Sequence, residues 1–296
     1  AARTGAPVLY TAHDYLLFCC IKFICTNGSV DFRQRWFNCA KCQRFRWNPA
    51  RNEVIRKHMT NNVDHLFAIS ETLQVALRAN GYGDSEVVHN GVDLDWWARG
   101  NGNVFRSAHD LGDAPLALLA ARVSREKGAE AALQALARSR NSDIRLMIAG
   151  ENPRYAPRLR HMAESLGVGD RLLLPGWLDA EVMRDAYAAA TVTLAPSTYP
   201  DPFNLTLIES MAAGRPVIAS SLGAGPELVE DGCTGYVVDP TDIAAFADRL
   251  DLVTGDLSHA SCMGEAGRRT ATNTFSMERQ IERTLARYEA VLSGRS

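Results

Sequence analysis

The sequence predicts an α/β fold in two domains, and three observations carry that expectation. From Leu116 onward, short apolar runs alternate with alanine-rich amphipathic stretches, the pattern of strand and helix in a parallel sheet. The 296 residues divide into about two domains at roughly 150 residues each. The composition, 46% hydrophobic and 22% charged with a net charge of −2, is that of an ordinary globular protein and argues against both disorder and a nucleic-acid partner.

The N-terminal stretch, residues 1–95, reads as a thin domain. A strand is expected at Val8 to Thr11, then an irregular Cys- and aromatic-rich segment to about Trp47, a helix, and a second strand at Leu66 to Ile69. Ser70 is placed to cap a helix running from Glu71 to about Asn80. Residues 96–276 carry the alternation. Buried strands are expected at Leu116 to Ala120, Ile144 to Ala149, Leu172 to Leu174, Val192 to Ala195, Val217 to Ala219 and Tyr236 to Val238. Helices are expected at Ala129 to Ala137, Pro157 to Leu166, Ala180 to Ala190, Leu207 to Ala213 and Ile243 to Leu252, where apolar positions recur three and four apart. Residues 277–296 form a last helix, Met277 to Leu292, with Ile281, Leu285, Tyr288 and Leu292 on one face.

The longest apolar run, Leu16 to Ile21, stops at Lys22, far short of the roughly 20 residues that span a bilayer. The chain opens Ala1-Ala2-Arg3-Thr4, without an initiator Met or a basic-then-apolar leader, and so reads as a fragment or a processed chain. The cytoplasm is the expected compartment, with peripheral contact to the inner face of a membrane left open. Five of the seven cysteines, Cys19, Cys20, Cys25, Cys39 and Cys42, fall in one short stretch. Cys20, Cys25, Cys39 and Cys42 form two pairs whose spacing suits a structural zinc site; buried thiols are the alternative reading.

Doubly wound sheets bind ligands at the carboxyl ends of their strands, so the chemistry is sought in the loops there. Asp201 and Glu209 flank the start of a helix in YPDPFNLTLIESMAAG. The backbone N–H groups around Asn204, Leu205 and Thr206 would offer a helix N-terminus to a diphosphate, with Glu209 placed to accept from ribose hydroxyls. In the alternative reading Asp201 only caps that helix and Glu209 is a solvated surface charge. In ARVSREKG, Arg122 and Lys127 sit where a strand opens into a loop, suited to neutralising a pyrophosphate; a pair of solvated bases is the plainer reading. No G-x-G-x-x-G follows a strand, which disfavours a dehydrogenase.

These segments, together with FAISETLQVALRANGY, HNGVDLDWW, LPGW and LGAGPELVEDGCTGYVVDP in this order, resemble the retaining glycosyltransferases of family four. The resemblance implies the GT-B fold, two facing Rossmann-like domains, here with the N-terminal one incomplete. It implies transfer of a hexose from a nucleotide-diphosphate sugar to a sugar, lipid-linked or small-molecule acceptor, in polysaccharide, glycolipid or glycoside synthesis, without a metal cofactor. By the same resemblance Arg122 and Lys127 hold the donor diphosphate, and Gly150, Glu151, Trp177, Phe203, Asn204, Leu205 and Thr206 line the nucleotide side. Glu209 holds the ribose, Asp201 lies near the transferred sugar, and His13 in YTAHDY points toward the acceptor, with Asp14 as runner-up. The sequence departs from the family pattern in three places: Asp201 where Glu is usual, Asn204 where Gly is frequent, and Ala224 in place of the second Gly of a pair. The last helix is implied to cross back to the first domain. A shortened first domain would expose a sheet edge, so a partner chain covering it is expected. The competing expectation is a non-catalytic sugar-nucleotide-binding remnant or partner subunit; an epimerase of similar fold is weaker still.

Overall fold

The structure, a computed structural model, describes residues 5–19, 39–40 and 48–294. By its contacts the chain forms two units. The first contains the described residues up to Gly91, the short segment Tyr199–Phe203, and the residues from Met277 onward. The second contains Val92–Thr198 and Asn204–Ser276.

The first unit is built on a three-stranded parallel sheet in the order β1-β2-β3, with β1 at Leu9–Ala12, β2 at His65–Ala68 and β3 at Glu86–Val87. Among the described residues it carries helices α1 (Pro49–Asn62), α2 (Glu71–Ala79) and α12 (Met277–Leu292). Helix α1 starts where Asn48 accepts from Arg51 N and Pro49 supplies a preset φ at the first position. Helix α2 starts where Ser70 Oγ accepts from Leu73 N at 3.0 Å, the cap that the sequence indicates. β3 is only two residues long and carries no alternation to betray it.

Helix α12 attaches differently from the way its sequence suggests. Its apolar stripe, Ile281, Leu285, Tyr288 and Leu292, is exposed. Its polar side makes the contacts: Gln280 Oε1 accepts from Gly91 N at 2.8 Å, Arg283 donates to Val87 O at 2.7 Å, and Arg287 Nε lies 2.8 Å from Glu86 Oε2.

The second unit is a six-stranded parallel sheet of β4 (Leu116–Ala120), β5 (Arg145–Ala149), β6 (Leu172–Gly176), β7 (Val192–Ala195), β8 (Val217–Ser220) and β9 (Gly235–Val238). The order is β6-β5-β4-β7-β8-β9, so the winding reverses between β4 and β7. Helices α3 (Leu94–Ala98), α4 (Gly102–Ala108), α5 (Ala129–Arg138), α6 (Ala156–Ser165), α7 (Ala180–Ala189), α8 (Leu205–Ala212), α9 (Gly225–Leu228), α10 (Ile243–Gly255) and α11 (Leu257–Thr274) surround it. Both faces of the sheet are buried, which is why its strands read as unbroken apolar runs. On β4, Ala117 and Leu119 pack with α5 and α10 residues such as Leu133, Leu136, Phe246 and Leu250. Leu116 and Leu118 point the other way, onto Phe105 of α4 and Ala186 and Tyr187 of α7.

The expected strands and helices fall on these elements within a few residues, whereas α3, α4, α9 and α11 have no counterpart in the sequence reading. α11 carries no strong apolar period because two of its inward positions are glycines. A Cβ on Gly264 would lie 2.2 Å from Gly214 O, and one on Gly267 would touch Met211. Among the described residues no helix is long and apolar enough to cross a membrane.

Phe246 is fully buried in the larger core. Phe246→Ala should therefore cost about 3–5 kcal/mol, seen as a lowered urea midpoint with little change in slope. A loss under about 1 kcal/mol would show that α10 is not part of the cooperative core.

Candidate donor site at the carboxyl ends of the second sheet

The winding reverses between β4 and β7, and the carboxyl edge at such a reversal is the place where sheets of this topology take ligands. Two loops flank it. The first, residues 121–128, follows β4 and carries Arg122 and Lys127. The second follows β7 and leads into α8. They are held against each other by backbone. Thr198 N donates to Glu126 O at 2.9 Å, and a Cβ on Gly128 would lie 1.9 Å from Pro196 O. Gly128 also has φ +79, so both space and conformation require glycine there.

The start of α8 is fixed to the same edge. Thr206 Oγ1 donates to Ala120 O, the last residue of β4, at 2.9 Å. Asn204 caps the helix with its own side chain, its Oδ1 accepting from Thr206 N at 3.2 Å, while Leu207 N turns back to Asn204 O. The helix N-terminus is thus partly satisfied from within. Of the three N–H groups expected to be open, that of Thr206 is already engaged, because Asn204 is a better cap than the glycine frequent at this place. The cap is Asn204 and not Asp201, which removes one of the plainer readings of the Asp201–Glu209 spacing.

Glu209 is not a solvated surface charge either. It sits in the second turn of α8, and its Oε2 accepts from Tyr187 Oη at 2.8 Å. Tyr187 is fully buried on α7, with the Trp97 ring edge-on to it at 5.0 Å between centroids. Burial raises the Glu209 carboxyl above the ordinary glutamate value, and the Tyr187 hydroxyl opposes that rise. Tyr187 itself is pushed well above its ordinary value, by burial first and then by Glu209, so it remains a hydrogen-bond donor. Sequence reasoning missed Tyr187, since in AYAAATV it has the look of a core aromatic and nothing local marks a partner 22 residues away.

The other residues of the second unit lie along this edge. Arg122 is exposed, with Glu126 Oε1 at 3.6 Å, and Lys127 is half-buried. Gly150 follows β5, and a Cβ there would meet Ala121 O at 2.1 Å. Glu151 next to it is exposed. Trp177, directly after β6, is 76% exposed, which rules out a core tryptophan at that position. Ala224 has φ −82, an ordinary value, while its neighbour Gly223 takes the left-handed conformation at +75; the missing second glycine therefore causes no backbone strain.

His13, Asp14, Asp201 and Phe203 belong to the first unit, as does Cys39. His13 is exposed just after β1, while Asp14 next to it is the cap of a short turn, its Oδ1 accepting from Leu16 N at 2.8 Å. Asp201 is buried, with Tyr199 Oη 3.2 Å from its Oδ2. The segment around it is tied down by Ser70 Oγ, which donates to Pro202 O at 2.6 Å, and by the Phe203 ring beside His89. Asp201 also acts on Tyr15, whose hydroxyl is raised by burial and, next, by that carboxylate. Of the four cysteines named as ligands, Cys39 is buried, and Cys20, Cys25 and Cys42 lie outside the described residues. Among the described residues no group of three or more His, Cys, Asp or Glu could hold a metal ion.

Residues 103–270 match the family described as glycosyl transferases group 1. The chain belongs to this family. It is 32% identical over 233 residues to a GDP-mannose-dependent α-(1-6)-phosphatidylinositol monomannoside mannosyltransferase of Mycolicibacterium smegmatis, covering 73% of the chain and 59% of that protein. It is 30% identical over 226 residues to an α-maltose-1-phosphate synthase of Mycobacterium tuberculosis, covering 69% of the chain and 56% of that protein. The chain thus spans less than two thirds of the length of these curated relatives. Among solved structures, the sucrose-phosphate synthase of Thermosynechococcus elongatus superposes with a TM-score of 0.79 at 26% identity, covering 97% of this chain and 68% of that one. The fold is of the GT-B type, α/β with two Rossmann-like domains.

Glu209 titrates with a definite sign. A carboxyl raised in the folded state contributes stability that is present below the ordinary glutamate value and is lost as pH rises through the raised one. Glu209→Gln keeps an acceptor for Tyr187 and removes the buried charge. It should raise the melting temperature at about pH 8 and leave it unchanged near about pH 4. Equal shifts at both pH values would contradict the assignment.

Proposed function

We propose that the chain is the donor-binding part of a retaining glycosyltransferase that moves a hexose from a nucleotide-diphosphate sugar to an acceptor hydroxyl. The observation that carries the reading is the convergence of Arg122, Lys127, the start of α8 and the Tyr187–Glu209 pair on one sheet edge, where the winding reverses. Arg122 offers a fork of donors and Lys127 a compact charge to the diphosphate. Together with the N-terminus of α8 they would stabilise a departing nucleoside diphosphate without a metal ion. Glu209, oriented by Tyr187, accepts from the ribose hydroxyls, and the exposed ring of Trp177 and the flat backbone at Gly150 flank the base. Asp201 and His13 are assigned to the transferred sugar and the acceptor, Phe203 and Leu205 to the donor's surroundings, and Glu151 to the nucleotide.

Donor chemistry in the named relatives supports the nucleotide. One relative is named as GDP-mannose-dependent, and an Anabaena protein of similar fold, HepE, has been solved with UDP and glucose. The alternative reading, a non-catalytic sugar-nucleotide-binding subunit, shares this donor site and differs only in having no acceptor. Retention of Arg122, Lys127, Asp201 and Glu209 favours the enzyme.

Titration with UDP, GDP and their hexose conjugates tests the reading. One base should raise the melting temperature, and Arg122→Ala/Lys127→Ala should weaken its binding at least about tenfold, because two charge-assisted contacts are lost. A cooperatively melting chain that responds to none of these nucleotides would remove the donor site. Where the enzyme is active, the anomeric proton of the product, followed by NMR, should report the donor's α configuration.

A further inference from the structure

At the opposite end of the second sheet, where β4, β7 and β8 begin, lies a pocket of ≈ 480 Å³, a volume in the range of small-ligand sites. Its wall includes Asn103 and Arg106 of α4, Thr191, Arg215 and, in the first turns of α11, Ser261. We propose that this pocket is an anion site that binds a phosphate group, either free or as the monoester of a small polar molecule.

Two arginines line the pocket, and neither forms an ion pair with a carboxylate among the described residues. Arg106 spends its guanidinium on backbone: Nε donates to Gly112 O at 2.9 Å, Nη1 to Ala189 O at 2.7 Å, and Nη2 to Ala114 O. It is thereby a fixed charge, locked in place by carbonyls that cannot neutralise it. Arg215 is held by one bond, from Nη2 to Ala188 O, and its buried Nε has no hydrogen-bond partner. A buried donor left without an acceptor costs about 1–3 kcal/mol, more for a charged group. Such a cost is removed when a ligand oxygen takes the place of the missing acceptor.

The surroundings sharpen the sign. Burial lowers the pKa of Arg215, and the charges acting on it, those of Arg268 and Arg106, are both cationic. Arg268 lies close above the turn, since a Cβ on Gly214 would be 2.3 Å from its Nη2. Its own partner, Glu265, is at 3.5 Å on an exposed part of α11. The one carboxylate in the lining, Asp113, is exposed. Two guanidinium groups therefore line a concave space with one exposed acid in its lining, and a third, that of Arg268, lies next to its Gly214 wall, the inverse of a cation site. A phosphate oxyanion matches the bidentate geometry of arginine and its charge, and the ≈ 480 Å³ leave room for an attached body lined by Asn103 and Ser261.

The test is isothermal titration calorimetry with inorganic phosphate and with glucose 6-phosphate, on the unaltered chain and on Arg122→Ala/Lys127→Ala, in which the proposed diphosphate site is removed. Saturable binding should persist in that double variant. Arg215→Gln should abolish it, but that change also removes the bond to Ala188 O and can unfold the chain. Ser261→Glu is the decisive variant, since Ser261 is exposed on a long helix and a carboxylate there repels the anion without disturbing packing. It should weaken phosphate binding at least tenfold while leaving the melting temperature intact. Tighter binding of glucose 6-phosphate than of inorganic phosphate assigns the monoester; equal binding assigns the free ion. Phosphate binding that is unaffected by Ser261→Glu, or that vanishes in Arg122→Ala/Lys127→Ala, overturns the proposal, and the latter result would leave the donor site standing.

Discussion

The constraint on which the proposed donor edge depends is a backbone contact with no room for a side chain. At Gly128 the loop after β4 passes so close to Pro196 O that even a methyl group would overlap it. The close approach makes the two crossover loops one object. With Thr206 anchored to Ala120 O, the cationic loop, the start of α8 and the carboxylate of Glu209 share one frame. Preorganisation of this kind lets dipoles and charges act without first being gathered, which is the larger part of what a protein can contribute to a departing phosphate.

Much of this was legible in the sequence, because the physics involved is local or periodic. The strands of the second sheet are buried on both faces and so announce themselves as apolar runs; Leu116–Ala120 and Val192–Ala195 coincide with β4 and β7. Ser70 as a cap needs only its own hydroxyl and a following helix. Arg122, Lys127 and Glu209 could be placed at the carboxyl edge because strand, loop and helix succeed one another in chain order.

What was not legible depends on partners far apart in the chain. Tyr187 and Glu209 meet only because α7 packs on β4 while α8 packs on β7, the next strand of the sheet, and β8, and neither segment shows a sign of the other. Asn204 looked like a departure from a glycine, yet it contributes the cap that a glycine could not. α11 hides its inner face behind Gly264 and Gly267, whose role is closeness and not hydrophobicity, so no periodic signal remains. Glu209 as a buried acid is the same lesson: spacing places a residue on a helix, but its titration is set first by the burial that tertiary packing imposes.

The attachment of α12 has a consequence for the order in which the molecule comes apart. A helix held by apolar burial melts with the core; one held by Arg283, Arg287 and Gln280 at a surface does not. Exposed ion pairs contribute about 0–1 kcal/mol each and are screened over roughly 8 Å at physiological salt. The last helix should therefore open ahead of the core, at the low end of the stability range. Its amides should exchange with solvent hydrogen well before those of β4 or β7, and faster still as salt rises.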